Sequence, residues 1–117
     1  MAAKTNLIYI RIALLLVLLS GVRLFADDSV ANAYLQQGQV DEARTVLQQI
    51  LAAQPGNAHA HQLLCRVYYA QDMADPAIHE CELAAANDPG NSSTQMWLGC
   101  AYGMKASHAN PIVAFGL

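Results

Sequence analysis

Histidine and cysteine residues recur in two short segments whose spacing could bind a metal ion. His59 and His61 precede Cys65, and His61 and Cys65 would share one helix face. His79 and Cys81 form a second pair on the next helix. Imidazole and thiolate ligands suit zinc or copper. However, the pattern puts both cysteines at packing positions and the first two histidines at a helix start, where surface histidines are ordinary. We therefore predict no metal and no cofactor, and keep metal or redox binding as an alternative.

The three cysteines raise the question of a disulfide. Cys65 and Cys81 fall on the two helices of one predicted pair, so a bond between them would close a loop of about 16 residues and stabilise the fold by roughly 3 kcal/mol. The alternative is two buried thiols that stand in for alanine and leucine. Cys100 is the best candidate for a free thiol, because the odd cysteine count leaves at least one unpaired within the chain.

No pattern typical of a catalytic site is found in the sequence. Serine, histidine and acidic residues do not occur at a recognisable spacing, and there is no glycine-rich phosphate loop. A Cys100 nucleophile would need a nearby histidine, and we expect His108 to be separated from it by a loop. We predict that the chain is not an enzyme and that it has no small-molecule substrate.

Several short motifs recur with a period of about 34 residues, which indicates one supersecondary unit copied along the chain. Each copy carries a tyrosine in the same local frame. The repeated motifs are Val30-Ala31-x-x-Tyr34, Leu64-Cys65-x-x-Tyr68 and Leu98-Gly99-x-x-Tyr102, then Ala43-x-x-x-Leu47 and Ala77-x-x-x-Cys81, then Pro55-Gly56-Asn57 and Pro89-Gly90-Asn91.

The sequence after Ala26 has helical periodicity and no strand-like alternation. Gly38 permits a tight turn between the first two helices, and Asp75-Pro76 reads as a cap followed by the first helical residue. The predicted helices run from Asp28 to about Gln37, from near Asp41 to before Pro55, from Ala58 to Ala70, from Asp75-Pro76 to about Asn87 and from Ser92 to about Met104, with one more start at Asn110-Pro111.

This frame resembles the tetratricopeptide repeat, a helix-turn-helix unit of about 34 residues. Leu98-Gly99-x-x-Tyr102, Asp41-Glu42-Ala43-Arg44 and Pro55-Gly56-Asn57-Ala58 carry the resemblance. It implies an all-α solenoid of antiparallel helix pairs, with two full copies at about 24–57 and 58–91 and a truncated third copy at 92–117. The third copy departs from the family pattern, because Trp97 lies one residue before Leu98 instead of three, and Pro111 replaces the alanine of the earlier copies.

Small residues at matching positions would let paired helices approach to about 8–10 Å. The residues predicted to pack the repeats are Ala31, Tyr34, Ala43, Cys65, Tyr68, Ala77, Gly99 and Tyr102. The resemblance also implies a concave groove that binds a peptide or a protein surface. By register, the residues predicted to line it are Asn32, Leu35, Gln36, Gln62, Arg66, Tyr69, Met96, Cys100 and Met104. Some family members clamp a terminal carboxylate with several cations and asparagines, but here only Asn32 and Arg66 could do so, and we expect no such clamp.

Residues 1–26 have the order of a secretory signal peptide. Lys4 and Arg11 give a positive start, Ile12 to Leu19 form an apolar run, and a cleavage site follows Ala26. The run is far shorter than the ~20 apolar residues of a bilayer-spanning helix. We expect an exported domain at 27–117, periplasmic or extracellular, with an uncleaved membrane anchor as the alternative. That domain keeps three basic and nine acidic residues, a formal charge of −6, which disfavours nucleic-acid binding.

The C-terminal residues are apolar and too few to form a stable helix alone. Repeat arrays need a terminal unit with a polar outer face, so we interpret the chain as the front of a longer array, or as a homodimer that buries this tail. The function we predict is a scaffold that holds a protein or peptide partner in the groove. Besides metal or redox binding, the alternative is a self-association or membrane-complex assembly module that uses Phe115 and Leu117.

Overall fold

The computed structural model describes residues 2–21, 27–110 and 112. The helices of this part are α1 (Ala2–Gly21), α2 (Asp28–Gln36), α3 (Val40–Ala53), α4 (Ala58–Ala70), α5 (Ala74–Asn87) and α6 (Ser92–Ala109). Because no strand occurs in these residues, the all-α prediction is confirmed. The predicted bounds of α2, α3 and α4 agree with the structure to within about one residue, as does the end of α5.

Helix α1 stands apart from the others. It contacts none of the helices α2–α6 in the described part of the chain, and the side chains of residues 6–16 are exposed. None of the helices within the described residues has the length and apolar character needed to cross a membrane. Residues 22–26, which include the predicted cleavage site, lie outside the described residues, so the signal peptide stays a prediction.

The remaining helices form a stack of hairpins. Helix α2 packs against α3, α4 packs against α5, and α6 packs against α5 and α4. Helices α2, α4 and α6 also contact one another in that order, whereas α3 and α5 make no contact between the described residues of the two helices. Helices α2, α4 and α6 therefore form one layer of the stack, which we call the inner layer, and α3 and α5 form the other, the outer layer.

Two hydrophobic clusters hold the layers together. The first joins α2, α3 and α4 around Leu47 and Leu63, which are 0% and 1% exposed. The second joins α4, α5 and α6 around Cys81 and Ala101, both fully buried. Of the residues predicted to pack the repeats, Ala31, Ala43, Cys65 and Ala77 are fully buried, Tyr34 and Tyr68 are half-buried, and Gly99 and Tyr102 are exposed on α6.

The turns of the first two hairpins each contain one residue in the left-handed region. Gly38 has φ of 75° and Asp72 has φ of 60°, and they occupy equivalent positions of successive copies. The equivalent residue of the third copy is Ala106, for which this conformation costs roughly 1–2 kcal/mol. Helix α6 instead continues through Ala106 to Ala109, so the predicted end at Met104 is wrong. Gly99 and Tyr102 are exposed because the described chain does not turn back to cover them.

The predicted helix start at Asn110-Pro111 falls mostly outside the described residues, as do Phe115 and Leu117. Within the described part, Asn110 ends α6 as its C-cap residue, and its side-chain Oδ1 accepts a hydrogen bond from the Ile112 amide at 3.0 Å. The asparagine therefore closes one helix and also binds the backbone that follows it.

Side-chain caps begin three of the helices. Asn57 accepts from the Ala60 amide at 3.0 Å, and Asn91 accepts from the Thr94 amide at 3.2 Å. Asp27 caps α2, and the backbone hydrogen bond from Ser29 lowers the pKa of its carboxyl. These caps satisfy amide groups that the first turn leaves without helical partners.

Helix α5 begins differently from the prediction. It starts at Ala74, and the residue before it, Met73, makes no side-chain capping hydrogen bond. Asp75 lies inside the first turn instead of capping it, and Pro76 follows at the third helical position. Proline is tolerated there because the first-turn amides have no helical acceptor. The carboxylate of Asp75 binds Lys105 of α6, as described below.

Replacing Gly38 by alanine should lower the free energy of unfolding by about 1 kcal/mol, because alanine disfavours positive φ. Gly90→Ala is the matched control, since an added Cβ meets no atom within 4 Å at either glycine and only Gly38 has a positive φ. Urea denaturation followed by far-UV circular dichroism measures both. Equal losses in the two variants would contradict the argument from backbone conformation.

Candidate functional site

One side of α4 carries the contacts that join the inner helices. The His59 Nδ1 atom lies 2.9 Å from the Asp28 Oδ2 atom of α2. Three residues further along α4, the Gln62 amide donates to the Ser93 hydroxyl of α6 at 2.6 Å. Because residues three and four apart share a helix face, this side of α4 looks toward both neighbours. We call the surface formed by Asp28, His59, Arg66, Tyr69, Met96 and Trp97 the inner face.

The centre of the inner face is a cation and aromatic cluster. The Arg66 guanidinium carbon lies 5.2 Å from the centroid of the Trp97 ring, within the range of a cation–π contact. The Tyr69 ring meets the same indole edge-on, with centroids 5.5 Å apart and planes at 70°. All three side chains are half-buried. They therefore hold one another in place while part of each remains open to solvent.

The residues predicted to line the groove occupy different environments. Gln62 is only 6% exposed and serves as a bond between α4 and α6, so it offers little surface. Leu35 packs against the first hydrophobic cluster. Gln36 and Met96 are exposed, and Asn32, Arg66, Tyr69, Cys100 and Met104 are half-buried. The accessible residues of this set therefore lie on α2, in the part of α4 that carries Arg66 and Tyr69, and along α6.

His61 is buried, although the sequence suggests a surface position for it. It is 7% exposed, its Nδ1 lies 2.7 Å from Glu80 Oε2, and its Nε2 lies 2.7 Å from the Pro55 carbonyl oxygen. The Pro55 carbonyl oxygen can only accept, so the ring donates to it from Nε2, while Nδ1 is hydrogen-bonded to the Glu80 carboxyl group. His61 thus ties α4 to α5 and to the turn before α4. The prediction of a surface position holds for His59 but is wrong for His61.

Cys65 and Cys81 form a disulfide between α4 and α5. Their Sγ atoms are 2.06 Å apart, their Cα atoms are 5.3 Å apart, and both residues are 0% exposed. Cys100 is the free cysteine of the described chain and is half-buried. The disulfide and the two hydrogen bonds of His61 engage three of the donors considered for a metal. No group of three or more metal-binding side chains is gathered anywhere in the described residues.

An ion pair and a hydrogen bond fasten the C-terminal half of α6 to the start of α5 and to the turn before it. Lys105 Nζ lies 2.8 Å from Asp75 Oδ1, and His108 Nε2 lies 2.9 Å from Asp72 Oδ1. The hydrogen bond to Asp75 raises the pKa of Lys105. An open cavity of about 450 Å³ lies between the two helix ends. His108 is on the same helix as Cys100, so the expected intervening loop is absent, and the His108 ring is turned toward Asp72.

Tyr102 provides a third link between α6 and α5. Its hydroxyl donates to Glu82 Oε1 at 2.6 Å, and this hydrogen bond raises the pKa of the phenol. Tyr34 and Tyr68, at the same register position, pack beside the hydrophobic clusters. The tyrosine is therefore half-buried and packs against the core in the first two copies, whereas in the third copy it is exposed and forms a hydrogen bond.

A family comparison agrees with this register. The tetratricopeptide repeat model matches residues 34–97, which is more than half of the chain of 117 residues. The chain belongs to the tetratricopeptide repeat family. The resemblance seen in the sequence is thereby confirmed. A comparison with curated proteins finds no match.

Tetratricopeptide repeats generally mediate protein–protein interactions, and members of the family are typically scaffolds without enzymatic activity. The matched segment runs from Tyr34 to Trp97 and includes the whole of α3, α4 and α5. It therefore contains Arg66, Tyr69 and Trp97, the three residues of the cation and aromatic cluster. The C-terminal part of α6, which continues past the repeat's usual turn, lies beyond the match.

Trp97 belongs to this site but is absent from the groove residues predicted by register. In the sequence it stands out only because it departs from the position of tryptophan in the repeat motif. The signal that could have found it is its place between Met96 and Cys100, both predicted to line the groove, on the same stretch of helix. Trp97 and Cys100 are three residues apart and share a helix face, so helical spacing could have added Trp97 to the predicted groove surface.

Proposed function

We propose that the hairpins form a short solenoid whose concave groove is the inner face, and that this groove binds a peptide or protein segment. The observation that carries the proposal is the half-buried cluster of Arg66, Tyr69 and Trp97. Tryptophan, tyrosine and arginine are the residues most enriched among strong contributors to protein interfaces. Because the cluster is already ordered by its own contacts, binding would cost little side-chain entropy.

Truncating the aromatic centre should weaken binding strongly. A peptide selected on the full chain should bind Trp97→Ala at least about tenfold more weakly, since loss of a central aromatic anchor typically costs more than about 1–2 kcal/mol. Trp97→Phe should retain much of the affinity, and Gln49→Ala, exposed on the outer helix α3, should bind like the wild type.

The measurement can use the protein's own fluorescence, because the chain has one tryptophan. A peptide that covers Trp97 should change the emission of the wild type during a titration. The tryptophan variants lack this signal, so their affinity is measured by the fluorescence anisotropy of a labelled peptide. Equal affinities of Gln49→Ala and Trp97→Ala would reject the inner face as the binding surface.

We further propose that the domain acts after export, in the periplasm or outside the cell. Two features support this: the order of charge, apolar run and small residue in residues 1–26, and the buried disulfide, since disulfides persist in oxidising compartments. The N-terminal sequence of protein recovered from a secreting host tests the proposal. A mature chain that begins at Asp27 would support it, and a retained Met1 would favour an uncleaved anchor.

Self-association is the second candidate function. It is favoured by the exposed side of α6, where Gly99, Tyr102 and Gly103 have no covering helix among the described residues. Light scattering of the full chain over a range of concentrations separates the candidates, and a monomer at every concentration would reject this one. Metal binding has less support, because Cys65, Cys81 and His61 already have other partners.

A further inference from the structure

The negative charges of the domain are distributed unevenly between its two layers. Helices α4 and α6 contain no aspartate or glutamate, and α2 contains one, Asp28, which lies against His59. The other carboxylates occupy the outer helices, the turns and the residue that caps α2. They are Asp41, Glu42, Asp75, Glu80 and Glu82 on α3 and α5, Asp72 and Asp88 next to them, and Asp27 before α2. An acidic protein thus has an inner face almost free of negative charge.

Arg66 is the charged group at the centre of that face. Among the lysines and arginines of residues 27–110, Arg44 pairs with Asp41 and Lys105 pairs with Asp75. Arg66 has neither an ion-pair nor a hydrogen-bond partner in this part of the chain, and its described contact is the Trp97 ring. A guanidinium has five N–H donors, and stacking on an indole satisfies none of them. Its donors are therefore available to an acceptor in the groove.

The group that best satisfies a guanidinium is a carboxylate, which accepts two parallel hydrogen bonds from it. Stacking on Trp97 fixes the position of the fork before the partner arrives. Apolar surface is accessible on two further residues of the inner face. Tyr69, whose ring contacts the same indole, is half-buried, and Met96 is 55% exposed. Methionine adapts to apolar side chains of varied shape.

We propose that the inner face selects peptide segments in which an aspartate or glutamate side chain binds Arg66 and a neighbouring apolar side chain rests on Trp97 and Met96. The inference rests on the proposed function and names the chemistry of its partner. Residues 27–117 carry a formal charge of −6, which repels acidic peptides in general. Selection therefore depends on the local charge of the inner face, and one acidic side chain beside apolar ones fits better than an acidic run.

Peptide selection tests this chemistry without a known partner. A random-sequence peptide library displayed on phage is selected separately against the full chain, Arg66→Gln and Arg44→Gln. Peptides recovered on the wild type should share an acidic residue next to an aromatic or aliphatic one. Arg66→Gln should still recover apolar peptides but without the acidic preference. Arg44→Gln, which changes a cation of the outer helix α3, should recover the same peptides as the wild type.

A synthetic peptide with a sequence from the wild-type selection is then used to measure the coupling between its acidic residue and Arg66. Its affinity should fall about tenfold when its acidic residue becomes the matching amide, and about tenfold on Arg66→Gln. The two changes together should cost little more than either alone, which is the sign of a direct pair. Arg66→Lys keeps the charge without the fork and should give an intermediate affinity. Amidating the C terminus of the peptide should change nothing.

The outcomes distinguish this inference from the proposed function. If no peptide is enriched on the wild type, groove binding itself is rejected, and the inference with it. If peptides are enriched without an acidic residue, or the acidic preference persists on Arg66→Gln, only the inference is overturned. Loss of affinity on C-terminal amidation also overturns it, because the bound carboxylate would be the terminal one. Circular dichroism and intact mass confirm that each variant is folded with its disulfide.

Discussion

Replacing Cys65 and Cys81 together by alanine should lower the free energy of unfolding by about 3 kcal/mol. The bond links residues 16 positions apart on α4 and α5, and its loss returns conformational freedom to the unfolded chain. Both residues are fully buried, so alanine is a better replacement than serine, which would bury a hydroxyl group. Urea denaturation of the oxidised wild type and of the double variant gives the difference.

Two controls separate the stability that the disulfide contributes from the stability lost through changed side-chain packing. Cys100→Ala should unfold within roughly 0.5 kcal/mol of the wild type, because Cys100 is not in the bond and surface substitutions are usually mild. The wild type unfolded in a reductant should lose most of the same stability as the double variant. Alkylation in denaturant without a reductant should modify one thiol, and modification of three would show that the bond is absent.

The positions of the helices follow largely from local signals in the sequence. The repeat period, the asparagines at 57 and 91 and the small residues at helix contacts predict α2, α3, α4 and the start of α6 closely. Such signals work because a cap needs only the amides two or three residues ahead of it. The predicted start of α5 is less accurate, since Asp75 can either cap a helix or sit in its first turn. The ion pair between Asp75 and Lys105 joins α5 to α6, so it depends on the tertiary structure.

The length of α6 can be predicted only when the copies are compared with one another, and not from the sequence of α6 alone. Its residues are ordinary helix formers, and Ala106 becomes informative only when it is placed beside Gly38 and Asp72. Two contacts then hold the extended helix, and both join residues that are far apart in the sequence. They are the ion pair of Lys105 with Asp75 and the hydrogen bond of His108 with Asp72. Sequence spacing predicts neither contact.

The candidate site is predictable as a surface but not as a set of contacts. Register predicts Arg66 and Tyr69 on one face of α4, whereas the stacking of Arg66 on Trp97 depends on how α4 and α6 sit side by side. The same holds for Gln62. Its register position does not reveal that its side-chain amide donates a hydrogen bond to Ser93 and is therefore buried. Helical periodicity gives the direction of a side chain, and only packing decides whether that direction leads to solvent.

His61 makes the second large contribution to stability. Replacing it by alanine should lower the free energy of unfolding by about 3 kcal/mol, because the variant leaves the Glu80 carboxyl group without its hydrogen-bond partner at a site where that side chain is only 15% exposed. The Pro55 carbonyl loses its donor as well. Urea denaturation measures the loss. His59→Ala is the matched control on the same helix, and its ring is 55% exposed, so it should cost less than about 1 kcal/mol.

The two large effects should not add. His61 and Cys65 are one turn apart on α4, and their partners Glu80 and Cys81 are adjacent on α5. Both links therefore fasten the same stretch of the same helix pair, and neighbouring substitutions of this kind couple. A chain without the disulfide and without His61 should lose less stability than the sum of the two separate losses, because either change alone already loosens the contact that the other link holds. Strict additivity would indicate that the ring and the disulfide stabilise independent parts of the fold, contrary to their positions.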